Sequence, residues 1–501
     1  LRSQSSSTTG ILNKNYDGAN NLISGAGNDV SGCNNTMIGG QDNELRRLEN
    51  ILVAGKENFV KDVDESVIFG KKHDISGNTI LTFVSGSTIK QWNGECNVML
   101  GKEHTSKDSI NDVVIGKSNT DLTGTNTIII GEEQQASLLV NTLMAGKQNT
   151  ATGTAGSIIL GQGNTADNNT NSLIAGLTLV TDNNHSALIT GTLNKVKDNN
   201  EVVVTGKLND VSGNSRQTVV NGLSNKEHGG LQNAIFGTLT DSSDNTQSMI
   251  YGSSNIVKLS VNSQIGGKTH TIDTITESIV QGSNSKVKNN IAVIVSGKNQ
   301  DISGNSDYTF LSGMNNKVNT SKRNILSGQS HNIKTTDDGL IVGRNTTVEL
   351  ATKNVVLGED NNITNNSNSV LFGGSMTTLN SERSVLGGFT NNINSAKYAL
   401  IAGRNHTILT SHQSIIAGHT NKDTTGTNNA IFGEFQDVAT TINTIVSGTT
   451  NNIDNVENTM IVGDENMANG AKESIITGKE NQVTGGNFNI IGGNINNITN
   501  T

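Results

Sequence analysis

Residues 473–493 read ESIITGKENQVTGGNFNIIGG. Two adjacent isoleucine pairs, Ile475-Ile476 and Ile490-Ile491, stand fifteen residues apart. Each lies just ahead of a glycine, and Asn481 and a lone Val483 lie between them. A strand with one wet face alternates apolar and polar side chains, so a repeated apolar pair needs another explanation.

The period extends along the whole chain. A glycine recurs at Gly10, Gly25, Gly40, Gly55 and Gly70, then from Gly86 to Gly206, from Gly222 to Gly297, and from Gly313 to Gly493. Three single-residue insertions separate these runs, and without them Gly10 to Gly493 is 32 steps of fifteen. Each longer unit carries a similar turn: DISGN at 74–78, DVSGN at 210–214 and DISGN at 301–305. Gly and Asn suit a turn that needs positive φ, so the extra residue is expected to bulge at that turn and leave the register intact. Residues 1–501 therefore read as one continuous repeat array.

Two positions before the glycine every copy from Ile23 to Ile491 is Ile, Val, Leu or Met. Ile23, Val53, Ile68, Ile129, Ile159, Val204, Ile235, Val295, Val356, Ile416, Ile461, Ile476 and Ile491 define this structural apolar ladder. Gly25, Gly55, Gly70, Gly131, Gly206, Gly297, Gly358, Gly418 and Gly478 define the glycine ladder beside it. Three before the glycine the choice is nearly as narrow (Leu22, Val67, Ile158, Phe310, Val355, Ile475), with Gln264 the exception. Three after it Asn dominates (Asn28, Asn119, Asn209, Asn316, Asn391, Asn481), and five after it an aliphatic residue is common (Val30, Ile75, Val211, Ile302, Ile393, Val483).

Fifteen residues suffice for two short strands and two turns, one lap of a flattened parallel β-solenoid, or β-roll, of about 32 coils. Equivalent residues of successive laps then stack about 4.8 Å apart. Gly and Asn interrupt every helical alternative, and collagen needs glycine at every third residue and abundant proline. Neighbouring strand residues point to opposite faces. One member of each apolar pair enters the lumen, and the pattern leaves open which; the other faces outward. An outward aliphatic stripe of this length is rarely left bare by a soluble monomer. The simplest cover is another copy of the chain, with a different protein as the alternative, and open sheet ends make end-to-end stacking a further expectation.

The units SVIFG (66–70), NVVLG (354–358), SIIAG (414–418), NAIFG (429–433) and SIITG (474–478), each followed by a polar turn and a second short strand, resemble the head repeats of YadA-like trimeric autotransporter adhesins. The resemblance covers nearly the whole chain through a short degenerate motif. It implies a trimeric β-roll fibre that adheres to a glycan or matrix ligand at a cell surface, without catalysis. The period here is fifteen where that family often shows fourteen, and Ile, Val or Leu usually replaces its small central Ala. Coiled-coil stalk heptads, a neck motif and a membrane anchor are not in this stretch. Neither a signal nor an anchor is read in this stretch, so trimmed ends and targeting in segments beyond it both stay open, and the transferable expectation is the trimeric β-roll fibre.

Composition narrows the function classes. Aromatics are 3%, proline is absent, and glycine numbers 56 in 501 residues, far from the makeup of an ordinary globular core. A net charge of −9 without a Lys/Arg cluster gives no nucleic-acid footprint. No run of about 18 apolar residues spans a bilayer. Cys33 and Cys96 lie about four laps apart, roughly 20 Å at the lap rise, beyond disulfide reach. Of nine His, His73, His104, His270, His331 and His406 share the phase of the common Asn and read as ladder substitutions; no two lie in adjacent laps, as a metal site would need. Asp74, Asp210, Asp241 and Asp437, one residue after the Asn phase, read as solvated turn acids, as does Asp167 elsewhere in the lap. Glu132-Glu133 reads as an exposed turn pair. The glycine pairs GAG (25–27) and GQG (161–163) lack the strand-to-helix context and Lys of a phosphate loop. Trp92 is expected to pack in a distorted coil, and the sequons at Asn345, Asn405 and Asn497 are chance in so Asn-rich a chain. The reading that follows is a non-enzymatic extracellular or cell-surface fibre, adhesin-like, with no cofactor, metal or catalytic residue. The alternative is a self-assembling structural subunit of a filament, appendage, matrix or virion fibre.

Overall fold

Each lap pairs with the next through parallel strands held in register by the repeat. In a computed structural model, Val98–Lys102 pairs with Val113–Lys117, and that strand with Ile128–Glu132, so that Gly101, Gly116 and Gly131 stack. Residues 6–499 are described, apart from 12, 13, 15, 16, 18, 45, 48, 58, 60, 62, 65, 78, 81, 489, 495 and 496. Asn78 of the first long turn and the side chains of His73 and Asp74 lie outside the described set. The chain divides into two compact units, Leu1–Ser254 and Asn255–Thr501. Both are parallel β-solenoids, of about 31 turns in all. Among the described residues there is no helix, and none is long and apolar enough to cross a membrane.

The lap bends three times, where the repeat suggests two turns. After the strand through the glycine comes a second, such as Thr105–Lys107 paired with Thr120–Leu122. A third pairing then follows as single bridges, Ile110 with Thr125 and Thr125 with Val140. In some laps of the second unit these last two segments merge, as in Thr271–Thr276 on Lys286–Ile291. The three corners are left-handed residues: Glu103, Asp108 and Asn111 have φ of 60°, 52° and 58°. Left-handed backbone costs about 1–2 kcal/mol for a residue with a Cβ.

Hydrogen bonding explains how the corners are tolerated. Strand amides donate in one direction along the stack, Thr105 N to Asn119 O at 3.0 Å and Val113 N to Thr127 O at 2.9 Å. Corner amides donate in the other, Glu103 N to Ser87 O at 2.7 Å and Asp108 N to Trp92 O at 2.8 Å. Flipping the peptide at each corner therefore uses donors that a right-handed turn would leave unpaired.

Five side chains per lap point inward. Around Gly131 they are Thr127, Ile129, Gln134, Ala136 and Leu139, all buried. Of each apolar pair it is the residue two before the glycine that fills the lumen: Ile23, Val53, Ile68, Ile129, Ile159, Val204, Ile235, Val295, Val356, Ile416, Ile461, Ile476 and Ile491 are all buried. The long units behave as the repeat suggests. Val196 faces Val211 fifteen residues on, but Asn200 faces Arg216 sixteen on, so the extra residue lies in the turn between. Gly213, Asn214 and Gly304 there have positive φ.

Candidate interaction face and lumenal ladders

The outward member of each pair forms an exposed aliphatic column in both units. Leu22 is 47% exposed, Ile325 51% and Ile475 44%. Over part of each unit the residue just before the glycine is apolar too and also faces out, giving Ile128 beside Ile130 and Ile158 beside Leu160 in the first unit. Leu340 beside Val342 and Val355 beside Leu357 do the same in the second. Phe372 lies over Gly387, where an added Cβ would strike its ring. Elsewhere the outer surface mixes vertically paired polar side chains with further exposed apolar ones at the corners, such as Leu138, Leu239 and Phe435. Glu132 bridges Lys117 and Lys147 at 3.3 Å each, and these lysines, Lys147 foremost, hold its carboxyl below the usual range. Lys195 meets Asp210 and Lys422 meets Asp437. Such exposed pairs contribute little stability.

The Asn three after the glycine braces the first corner from within. Asn164 Nδ2 donates to Leu160 O at 2.9 Å and Gly176 O at 3.1 Å, while its Oδ1 accepts from Leu179 N at 2.9 Å. Asn421 repeats this on Ala417 O, Gly433 O and Gln436 N. Histidine reproduces part of the pattern. His406 Nε2 meets Ala402 O at 3.1 Å and Nδ1 accepts from Asn421 N at 3.2 Å, and His104 does the same on Leu100 O and Asn119 N. Burial pushes the pKa of His104, His270, His331 and His406 down. Because the folded value is depressed, their contribution is full above the unfolded value of about 6.5 and is lost as pH falls through the folded value. Asn164→Ala should destabilise its laps by about 3 kcal/mol, since it leaves the buried Leu179 amide unpaired. Asn164→His should cost less than about 1 kcal/mol near neutral pH. Hydrogen exchange over residues 150–190 distinguishes the two.

The other sequence-derived positions fall as follows. Asp241 and Glu133 are exposed, Glu132 is half-buried, and Asn345 and Asn405 are exposed. Trp92 closes the regular strand Phe83–Trp92 and pairs in register with Lys107. Its coil is therefore not distorted, because the inserted residue is absorbed one lap earlier. Cys33 and Cys96 are not in disulfides. Among the described residues no group of three or more His, Cys, Asp or Glu converges as a metal centre.

Sequence reasoning missed a set of buried acids. Asp121, Glu227 and Asp423 occupy the lumenal position five after the glycine, and Asp112 the one four before it; all are buried. Asp423 lies in register between Ile408 and Val438. Burial pushes the carboxyls of Asp423 and Glu227 up to about 7, and Asp121 is raised by burial and then by Asp112 beside it. The available signal was phase: an acid where Val211, Ile302 and Ile393 stand cannot reach water. No protein family and no curated protein matches the chain.

Proposed function

We propose that the chain is a non-enzymatic fibre of the adhesin type, carried outside the cell and assembled side by side as a homotrimer along its outward aliphatic column. The observation that carries this reading is the column itself. Leu22, Ile128, Ile325 and Ile475 belong to one repeat phase and are exposed on a single chain, and stacked aliphatics at about 4.8 Å spacing make an apolar stripe within each unit. A stripe set by the repeat is present on every copy, so a second copy is the cover always at hand. The polar outer ladders leave the rest of the surface free to meet a glycan or matrix protein.

Sedimentation of the purified full chain, with negative-stain imaging, tests the reading. A short rod of three chains supports it, and end-to-end polymers would favour the filament subunit instead. Replacing Ile128, Ile158 and Leu188 together by Lys should dissociate the assembly while leaving the strand content unchanged, because these side chains do not enter the lumen. A wild-type chain that sediments as a monomer removes the proposal.

A further inference from the structure

Four lumenal positions break the aliphatic ladder in the same manner. Gln91, Asp121, Glu227 and Asp423 each have a glycine three residues on: Gly94, Gly124, Gly230 and Gly426. None of these glycines has positive φ, so backbone conformation does not require them, and glycine within a strand costs about 0.5–1 kcal/mol. Space does require them. A Cβ on Gly426 would lie 2.5 Å from both Asp423 oxygens, and one on Gly230 would collide with Glu227 Oε1.

The Asp121 lap differs from the other three because two carboxylates meet there. A Cβ on Gly124 would collide with Asp112 Oδ2 and lie 2.7 and 2.9 Å from the two Asp121 oxygens. Asp112 Oδ1 accepts from Thr127 N at 2.7 Å, and Asp121 Oδ2 from Ser109 Oγ at 3.1 Å. Asp112 Oδ2, Asp121 Oδ1 and Thr127 Oγ1 are buried and have no partner. No Lys or Arg is among the described buried residues. Two buried carboxylates with no cation between them are strongly unfavourable.

We propose that Asp112 and Asp121 bind one hard divalent cation of the calcium class inside the solenoid, in the space left by Gly124. The donors are all oxygen: the two free carboxylate oxygens, Asp121 Oδ2 and the hydroxyls of Thr127 and Ser109. Hard cations select such a set. A 2+ ion balances both carboxylates, whereas one proton leaves a charge behind. The lone acids Glu227 and Asp423 need only a proton, and Glu227 Oε1 also accepts from Asn233 Nδ2 at 2.9 Å. An ion enclosed by the laps enters as they form, so binding is coupled to folding.

The full chain, refolded with millimolar calcium chloride at a pH above the titration of the pair and then desalted, is expected to retain one calcium per chain by elemental mass spectrometry. Asp112→Asn combined with Asp121→Asn should retain none, and Asp423→Asn should retain the wild-type amount. Wild-type chain refolded with chelator should exchange the amides of residues 98–131 about tenfold faster than the calcium form, with distant laps unchanged. Calcium held equally by the double variant is surface binding and overturns the proposal. So does its absence from the wild type, which leaves the pair sharing a proton. If the double variant fails to fold, the chelator comparison on the wild type still decides.

Discussion

Alanine at Gly131 is expected to destabilise its laps by more than about 3 kcal/mol. Two independent causes act together. Gly131 has φ of 135°, outside the range a residue with a Cβ adopts. The new methyl would also collide with Gly146 O and lie 2.8 Å from Gly146 C. That obstacle is backbone of the next lap, itself fixed by pairing on both sides, so no rotamer change relieves it. Because each lap contacts chiefly its neighbours, the damage should be local. Hydrogen exchange should quicken from about residue 113 to 160 while remote laps keep their protection. Gly124→Ala is the informative contrast, since its obstacles are carboxylate side chains rather than backbone. A Gly131→Ala chain with wild-type protection would show that neither the φ nor the stacked carbonyl constrains this position.

The glycine ladder was legible because in most laps both causes act and only one residue type meets them. The apolar pair and the recurring Asn were legible for a similar reason, each returning at a fixed phase of the lap, but which member of the pair turns inward was not, because both positions are aliphatic. The third corner was not. Left-handed positions here are filled by Leu138, Tyr308 and Phe435 as well as by Asn and Asp, because the reversed amide bond stabilises them whatever the side chain. The buried acids Asp121, Glu227 and Asp423 were not legible because the position they occupy is aliphatic in most laps, so its few acids stand out only against that phase. Asp437 and Asp423 look alike in composition, yet they fall one position apart in the lap, and the pleat sends one to solvent and the other into the lumen.

That one-position difference yields the second large effect. Asp423 has a folded pKa raised from 3.8 to about 7 by burial. The folded chain therefore holds its proton where the unfolded chain has released it. The sign follows: stability from this residue is greatest below about pH 3.8 and falls as pH rises, levelling off above about 7. The loss across that window is on the order of 4 kcal/mol. Asp423→Val places a branched apolar side chain between Ile408 and Val438 and fills part of the space beside Gly426. It should remove the slope and stabilise these laps by a few kcal/mol at pH 8. Asp423→Asn should remove the slope but recover less, because its amide still needs partners in an apolar row. Exchange rates over residues 408–438, corrected for the intrinsic effect of pH, report all three chains. The histidine brace works in the opposite sense, losing stability as acid is added. The His406 laps and the Asp423 lap should therefore weaken at opposite ends of the pH scale within a few turns of each other. Equal slopes for wild type and Asp423→Val would mean that water reaches this carboxyl and that the lumen is open there.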